Sequence, residues 1–324
     1  MADRFLSASP QVLAAAALAA RDHDAAALAL VLDTEGSTYV GRGAMAQFGG
    51  STGQVGWLSG GCLESAIAET ARLAVDRKRI EWMDIDTRDD DSLLSGSATG
   101  CRGRLHLALI PLTDLEGLSA LIGHWQQAVV PLSLMLSCDG KLRLAAGDSA
   151  GEWQLATAGA APWLAPNWQL DFEAQPRVCL FGAGPESDSL LTMLGQAGWR
   201  TLLVERRERW RSAGDLADRL IELSPANALD DAEVSTATAA LVMHHNFERD
   251  RDTLEALAGS TIPFIGLLGP RRRRDDLFRL LSADQAESLQ PRLHSPVGLD
   301  LGGRGAEAIA LSIAAQLQML RHGK

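Results

Sequence analysis

Residues 177–187 read RVCLFGAGPES, and this stretch decides the fold of the C-terminal half. Arg177–Phe181 is an apolar run bounded by Pro176 and Gly182, which predicts a buried strand. Gly182-Ala183-Gly184-Pro185-Glu186-Ser187 then follows the spacing G-x-G-x-x-G, with serine in the third place. In that pattern the first glycine permits a sharp turn and the second lets the backbone approach a pyrophosphate. Residues 188–198 carry a helical period, and residues 200–205 read as a second strand. The unit is βαβ, and its length suits the right-handed crossover that parallel strands need. Glu205 ends the second strand 21 residues after Gly184, where a ribose-binding carboxylate belongs. Glu186 falls in the first helical turn, where its charge competes with a phosphate for the helix dipole. The pattern therefore specifies a Rossmann-like scaffold and leaves its ligand open.

The same grammar continues to the C-terminus. Strands are expected at AALVMHH (239–245) and PFIGLLG (263–269), with helices near 248–258, 271–281 and 306–320. The last helix would bury Ile309, Ile313, Leu317 and Leu320 on one face. Before Pro176 the rhythm differs. Residues 161–176 carry three prolines without a clear period and read as an extended linker. Upstream, a helix is expected over 10–27 and a strand over 28–33. AMAQF and QVGWL read as short strands joined by GGSTG. A helix over 62–78 sets Leu63, Ile67, Ala71 and Ala74 on one face. Strands IEWMDI and LHLALIPL, a helix over 114–127 and a hairpin about Asp139-Gly140 complete that half, with WQLATAG extending the hairpin. The expectation is an α/β protein: an N-terminal mixed α/β domain over 1–160, a linker over 161–176, and a C-terminal Rossmann-like parallel-sheet domain over 177–324.

Composition bounds the function. A chain of 324 residues is too long for one ordinary core, and 46% apolar content supplies enough core for two. A net charge of −11 excludes broad nucleic-acid or anionic-membrane binding, since both need a positive field. No run of 18 apolar residues suggests a membrane span. The alanine-rich start follows Asp3 and Arg4 and reads as a helix capped near Ser9-Pro10, in preference to a signal peptide. Cys62, Cys101, Cys138 and Cys179 form no CxxC pair, so free thiols and a cytoplasmic location are expected.

Three loops in the N-terminal half stand out. The first holds Gly36, Ser37, Thr38, Gly41, Arg42 and Gly43, a composition that exposes backbone N–H groups to an anion. Ser59-Gly60-Gly61 opens a helix, and Glu64 follows in its first turn as a dipole-complementing acid, an acceptor or a base. Thr99-Gly100-Cys101-Arg102-Gly103 sets a thiol beside a cation that favours the thiolate. Any one of these is ordinarily a tight turn; three on one domain point to an anion site. Cys138 in a hairpin turn and Cys179 in a core strand read as structural. In the C-terminal half, Met243-His244-His245-Asn246 ends a strand on the ligand-bearing edge of the sheet. Its histidines suit hydrogen bonding better than metal binding, because no further ligands sit at helical spacing, and no metal site is expected. Gly266–Pro270 feeds Arg271–Arg274, one of which can clamp a phosphate. His294–Asp300 forms a polar loop before the last helix.

Together, GSTYVGRGAMAQF (36–48), LSGGCLESAIAE (58–69), TGCRG (99–103), FGAGPES (181–187), MHHNFERDRDTLEAL (243–257), FIGLLGPRRRR (264–274) and RLHSPVGLDLGGRGAEAIALSIAAQ (292–316) resemble the XdhC/CoxI family of molybdenum-hydroxylase accessory proteins. The resemblance implies a chaperone that binds molybdenum cofactor, as molybdopterin or its dinucleotide form, and protects it. It further implies help in sulfuration by a cysteine desulfurase and delivery to an apo molybdenum hydroxylase such as xanthine dehydrogenase, without turnover of its own. A molybdopterin nucleotidyltransferase is a further partner on this reading, and a homodimer the assembly. Gly36, Ser37, Gly43, Gly60, Gly61 and Glu64 would then cradle the cofactor. Cys101 would contact molybdenum or relay sulfur, with Cys62 second. Gly182, Gly184 and Glu205 would hold a nucleotide, and Asn246, Asp250, Arg271, His294 and Asp300 would line a cleft. The chain departs from the family pattern at Tyr39-Val40, where Pro-Arg is usual, and at Arg102, Glu205 and Gln316. The competing readings are an NAD(P)-dependent oxidoreductase with His244 or His294 as proton donor, and a structural assembly factor that holds no pterin.

Overall fold

In the computed structural model the described residues are 9–88, 102–159, 161, 163 and 165–323. The chain divides into two compact units after Gln175.

The first unit is built on strand β1 (Ala26–Gly36), which pairs antiparallel with β2 (Met45–Gly49) on one side and β4 (Gly103–Pro111) on the other. β3 (Arg79–Asp86) pairs antiparallel with β4, and the two-residue β8 (Ala156–Thr157) runs parallel to β3. Side chains alternate across a strand, so β1 feeds two cores at once. Ala27, Ala29 and Val31 pack with Ile67, Ala71 and Ala74 of helix α2 (Glu64–Arg77). Leu28, Leu30 and Leu32 join the opposite core with α1 (Pro10–Arg21) and α3 (Leu118–Gln127). Burial on both faces explains why β1 reads as a continuous apolar run. α2 ends at Lys78, a left-handed C-cap whose N–H reaches the Ala74 and Val75 carbonyls.

A second, antiparallel sheet has the order β7 (Ser149–Gln154), β6 (Lys141–Ala146), β5 (Leu132–Ser137), β9 (Asn167–Phe172). Here the expected linker over 161–176 is corrected. Asn167–Phe172 is a core strand, and Trp168, Leu170 and Phe172 are buried at every second position. The prolines at 162 and 166 precede the strand and do not interrupt it. Two shorter corrections share one cause, the demand of the sheet. The first helix stops at Arg21 because Ala26 and Ala27 join β1, and QVGWL contributes only a Gln47–Val55 bridge.

The second unit holds six parallel strands in the order β12 (Arg219–Ile221), β11 (Arg200–Val204), β10 (Arg177–Phe181), β13 (Ala239–Val242), β14 (Phe264–Leu267), β15 (Leu293–His294). That is the doubly wound order, with its switch point between β10 and β13. Helices α4 (Ser187–Gln196) and α7 (Ala306–Arg321) cover one face. α5 (Phe247–Ala258) and α6 (Arg271–Phe278) cover the other. The expected α/β architecture is therefore present, with one change of detail. On α7, Ala310 joins Ile313 and Leu317 in the core, whereas Ile309 is 37% exposed. No helix among the described residues is long and apolar enough to cross a membrane.

The linker correction is testable. Phe172 is fully buried, so Phe172→Ala is expected to cost about 3–5 kcal/mol in denaturant unfolding of the full chain. A linker residue would shift stability by no more than about 0.5 kcal/mol, and that result would contradict the assignment.

Candidate functional site

The loops singled out in the first unit meet at one mouth. Gly36 and Gly103 are paired across β1 and β4. A Cβ on Gly36, whose φ is +69°, would sit 2.7 Å from the Arg102 carbonyl oxygen, and one on Gly103 would sit 2.6 Å from that of Ser37. Both glycines are therefore explained by close backbone approach. Ser37 N–H donates to the Arg102 carbonyl at 3.2 Å, and Gly43 N–H to that of Val31 at 2.8 Å. The Thr87 hydroxyl donates to the Gly103 carbonyl at 2.8 Å and accepts the Gly103 N–H at 3.1 Å.

Ser59 organises the second loop. Its hydroxyl accepts the Gly61 and Leu63 N–H groups, each at 3.1 Å, lies 3.7 Å from the Cys62 sulfur, and donates to Glu64. The Glu64 carboxylate also accepts the Ser59 N–H at 2.8 Å and the Leu58 N–H at 3.3 Å. Burial alone would raise the pKa of Glu64, but these donors outweigh it and hold the group below the usual carboxylate value. Glu64 is thus a positioning residue that pins the loop at the start of α2. Gly60 has open space where a Cβ would stand, and the Cys62 thiol is exposed. Thr38, Tyr39, Ser59, Gly60, Cys62 and Gly103 line a depression of about 30 Å³, the room of a single water molecule. The mouth is a shallow surface with a thiol at its rim. Cys101 lies outside the described residues, one position before Arg102. Cys179 is buried in β10, where desolvation pushes its thiol pKa up, as suits a structural role.

In the second unit the glycine loop is closed by the protein's own groups. Ala183 N–H donates to Glu205 at 2.9 Å, and Gly184 N–H to the Ser187 hydroxyl at 2.9 Å. A Cβ on Gly182 would lie 2.6 Å from His244 Cα, and one on Gly184 would overlap the His245 ring. His245 adopts φ +53° and bonds through Nε2 to the buried Glu186 at 2.7 Å. That bond raises the pKa of His245 despite its partial burial. Glu205 is buried and also accepts the Arg206 and Arg207 N–H groups at 2.9 and 2.8 Å and the Arg207 guanidinium at 2.6 Å. Arg207 in turn donates to the Ala183 and His244 carbonyls at 2.8 and 2.9 Å. Burial would raise the pKa of Glu205, but Arg207 and the amides outweigh it and hold the group at about 2. The positions expected for pyrophosphate and ribose are filled, so these residues do not fit a dinucleotide bound in the ordinary Rossmann manner.

The remaining candidates separate into supports and walls. Asn246 caps α5 by accepting the Arg249 N–H at 2.9 Å. Asp250 is buried and accepts the His244 N–H at 3.0 Å, His244 Nδ1 at 3.2 Å and Arg273 at 2.6 Å. Burial opposes its ionisation, but His244 and Arg273 keep its pKa low. His294 stacks on Phe264 with 4.1 Å between ring centroids, and burial lowers its pKa. Arg271 is exposed at the start of α6. Asp300 lines a cavity of about 520 Å³ together with His245, Arg273, Leu301, Ile309 and Ser312. Of these, Leu301, Ile309 and Ser312 are not among the site residues expected from the sequence, and within the Arg271–Arg274 run it is Arg273 that lines the cavity. Ile309 breaking the buried stripe of α7 is visible only once Ala310 is seen to take the core position. Among the described residues no group of three His, Cys, Asp or Glu side chains is placed to hold a metal.

Removing one partner of a buried pair costs about 3–5 kcal/mol, so Glu205→Gln is expected to destabilise the second unit by that order at neutral pH. Because the folded pKa lies below the ordinary 4.5, the contribution of Glu205 is complete above that value. The gap between wild type and variant should close as pH falls towards about 2. Titration with NAD(H) or NADP(H) should give no saturable binding to either protein; tight wild-type binding lost in the variant would restore the ribose-binding role.

The family model for the XdhC Rossmann domain matches residues 178–317, and the model for the XdhC and CoxI family matches residues 19–85. A Bacillus subtilis (strain 168) protein named as a probable xanthine dehydrogenase subunit is 27% identical over 319 residues, 93% of this chain and 94% of its own. The molybdenum cofactor insertion chaperone PaoD of Escherichia coli (strain K12) is 22% identical over 276 residues, 82% of this chain and 74% of its own. A Bacillus halodurans crystal structure described as a xanthine dehydrogenase aligns with a TM-score of 0.73 and 25% identity, covering 92% of each chain. The two family models fall one in each unit and the alignments run nearly end to end: the chain belongs to the XdhC and CoxI family.

Proposed function

We propose that this protein is a molybdenum-cofactor chaperone: it holds the cofactor as cargo, supports its sulfuration, and hands it to an apo molybdenum hydroxylase such as xanthine dehydrogenase. Family membership and the likeness to an insertion chaperone support the class of function. The observation that carries the reading to particular residues is the exposed Cys62 thiol at the start of α2. Glu64 and Ser59 hold that loop still, so the thiol is presented in one geometry without the loop having to order on binding. In this reading Cys62 and Cys101 receive sulfur from a cysteine desulfurase. The protein works in the cytoplasm as a homodimer, and a molybdopterin nucleotidyltransferase is a further partner. Its action is binding and transfer without turnover. The filled glycine loop gives the oxidoreductase alternative no support.

The test is to purify the full chain from cells that make molybdenum cofactor, oxidise it, and measure fluorescent pterin. Wild type should carry pterin, and Glu64→Gln, which loosens the loop, should carry less. Cys62→Ala and Cys101→Ala should each lower the yield of active hydroxylase in a reconstitution assay. Wild-type protein that copurifies with its hydroxylase but never with pterin would contradict the proposal.

A further inference from the structure

The cavity in the second unit has a chemistry of its own. It lies at the carboxyl ends of the strands, the ligand-bearing edge of a doubly wound sheet. It is set beside β14: Leu268, Gly269 and Pro270 follow β14, Pro296–Gly303 follows β15, and His245, which closes the glycine loop after β10, stands on its wall. Its volume of about 520 Å³ is far beyond a water or a simple ion and within the usual range for small organic ligands. The fold leaves apolar side chains uncovered there, Leu301 at 54% and Ile309 at 37% exposure. Covering such surface by a ligand is favourable.

The polar groups on the walls are complementary in kind. Asp300 is an acceptor-only carboxylate with no ion pair or side-chain hydrogen bond among the described residues. Arg273 is held at one nitrogen by the buried Asp250, which leaves the rest of its donor fork to a ligand. The arrangement is rigid before any ligand arrives. Gly269, at φ +120°, has Arg273 Cδ where a Cβ would stand at 2.7 Å. The loop carrying Asp300 is tied to α7 by Gly298 N–H to Gln316 Oε1 at 2.6 Å and Leu299 N–H to the Ser312 carbonyl at 3.1 Å. Apolar walls disfavour a bare anion, and a carboxylate and an arginine on the same lining disfavour a plain alkyl chain. What satisfies all three is a heterocycle with apolar faces, an N–H edge for Asp300 and an acceptor or anionic group for Arg273.

We propose that this cavity binds a ring with the 2-amino-4-oxopyrimidine edge, whose adjacent N–H groups pair with the carboxylate of Asp300 while Arg273 takes an acidic substituent. Guanine and pterin share that edge and adenine lacks it. If pterin is the source, the site receives the ring of the cargo proposed above, and that arm rests on the chaperone reading; a guanine nucleotide would be a ligand independent of it.

The experiment is calorimetric titration of the full chain with GMP, pterin-6-carboxylate and AMP. GMP or pterin-6-carboxylate should bind saturably at one per chain, with AMP at least roughly tenfold weaker. Asp300→Asn, a change at an exposed residue, should weaken binding by roughly tenfold or more. Ile309→Trp, which pushes a bulky ring into the cavity from α7, should weaken it by roughly tenfold or more, while thermal melting shows both variants folded. Absence of saturable binding by both probes, equal binding of AMP, or unchanged binding in both variants would overturn the site. Protein from cofactor-making cells whose pterin content is untouched by Ile309→Trp would overturn this site and leave the chaperone reading standing.

Discussion

A carboxylate removed from water must be fully hydrogen-bonded, and this constraint shapes both units. Glu64, Glu186, Glu205 and Asp250 are all buried. Each closes on donors from its own neighbourhood: Glu64 on the Leu58–Ser59 amides, Glu205 on Ala183 and Arg207, Glu186 on His245, Asp250 on His244 and Arg273. The loop amides among them are the kind of group that glycine-rich loops elsewhere offer to phosphates. The acids therefore convert would-be anion sites into rigid supports, and leave the chain's open chemistry to an exposed thiol in the first unit and a cavity in the second.

Much of the architecture is legible in the sequence. The strand–loop–helix at 177–196 and the apolar runs of β1 and β4 have periods that depend on nothing distant. Asn167–Phe172 escapes because two prolines nearby outweigh a plain alternation of Trp168, Leu170 and Phe172, and because β5, the partner that buries them, lies some thirty residues earlier. Residue types at the sites are legible too, but not their partners. Glu205 stands where a ribose carboxylate belongs, and the arginine two residues later, which alters its role, carries no signal by spacing. Ile309 falls on the expected apolar stripe of α7; that Ala310 takes the buried place is a matter of how α7 meets α4.

Stability and function are thus divided among neighbouring residues. Asp250 holds Arg273, and Arg273 faces the cavity; Glu64 holds Ser59, and Ser59 holds the loop of Cys62. In each case a buried acid fixes the group beside the site, Arg273 directly and the exposed Cys62 through Ser59. Such preorganisation suits the carrier role proposed above, since a site already ordered loses less on binding.

The claim that the acids have closed the glycine loops is tested most directly by amide hydrogen exchange at Ala183 and Gly184 in the free protein and in the presence of excess dinucleotide. The account predicts slow exchange at both amides in the free protein and no change on adding NAD(H). Fast exchange that becomes protected only with the dinucleotide would show that the loop is an open cradle, and would contradict it.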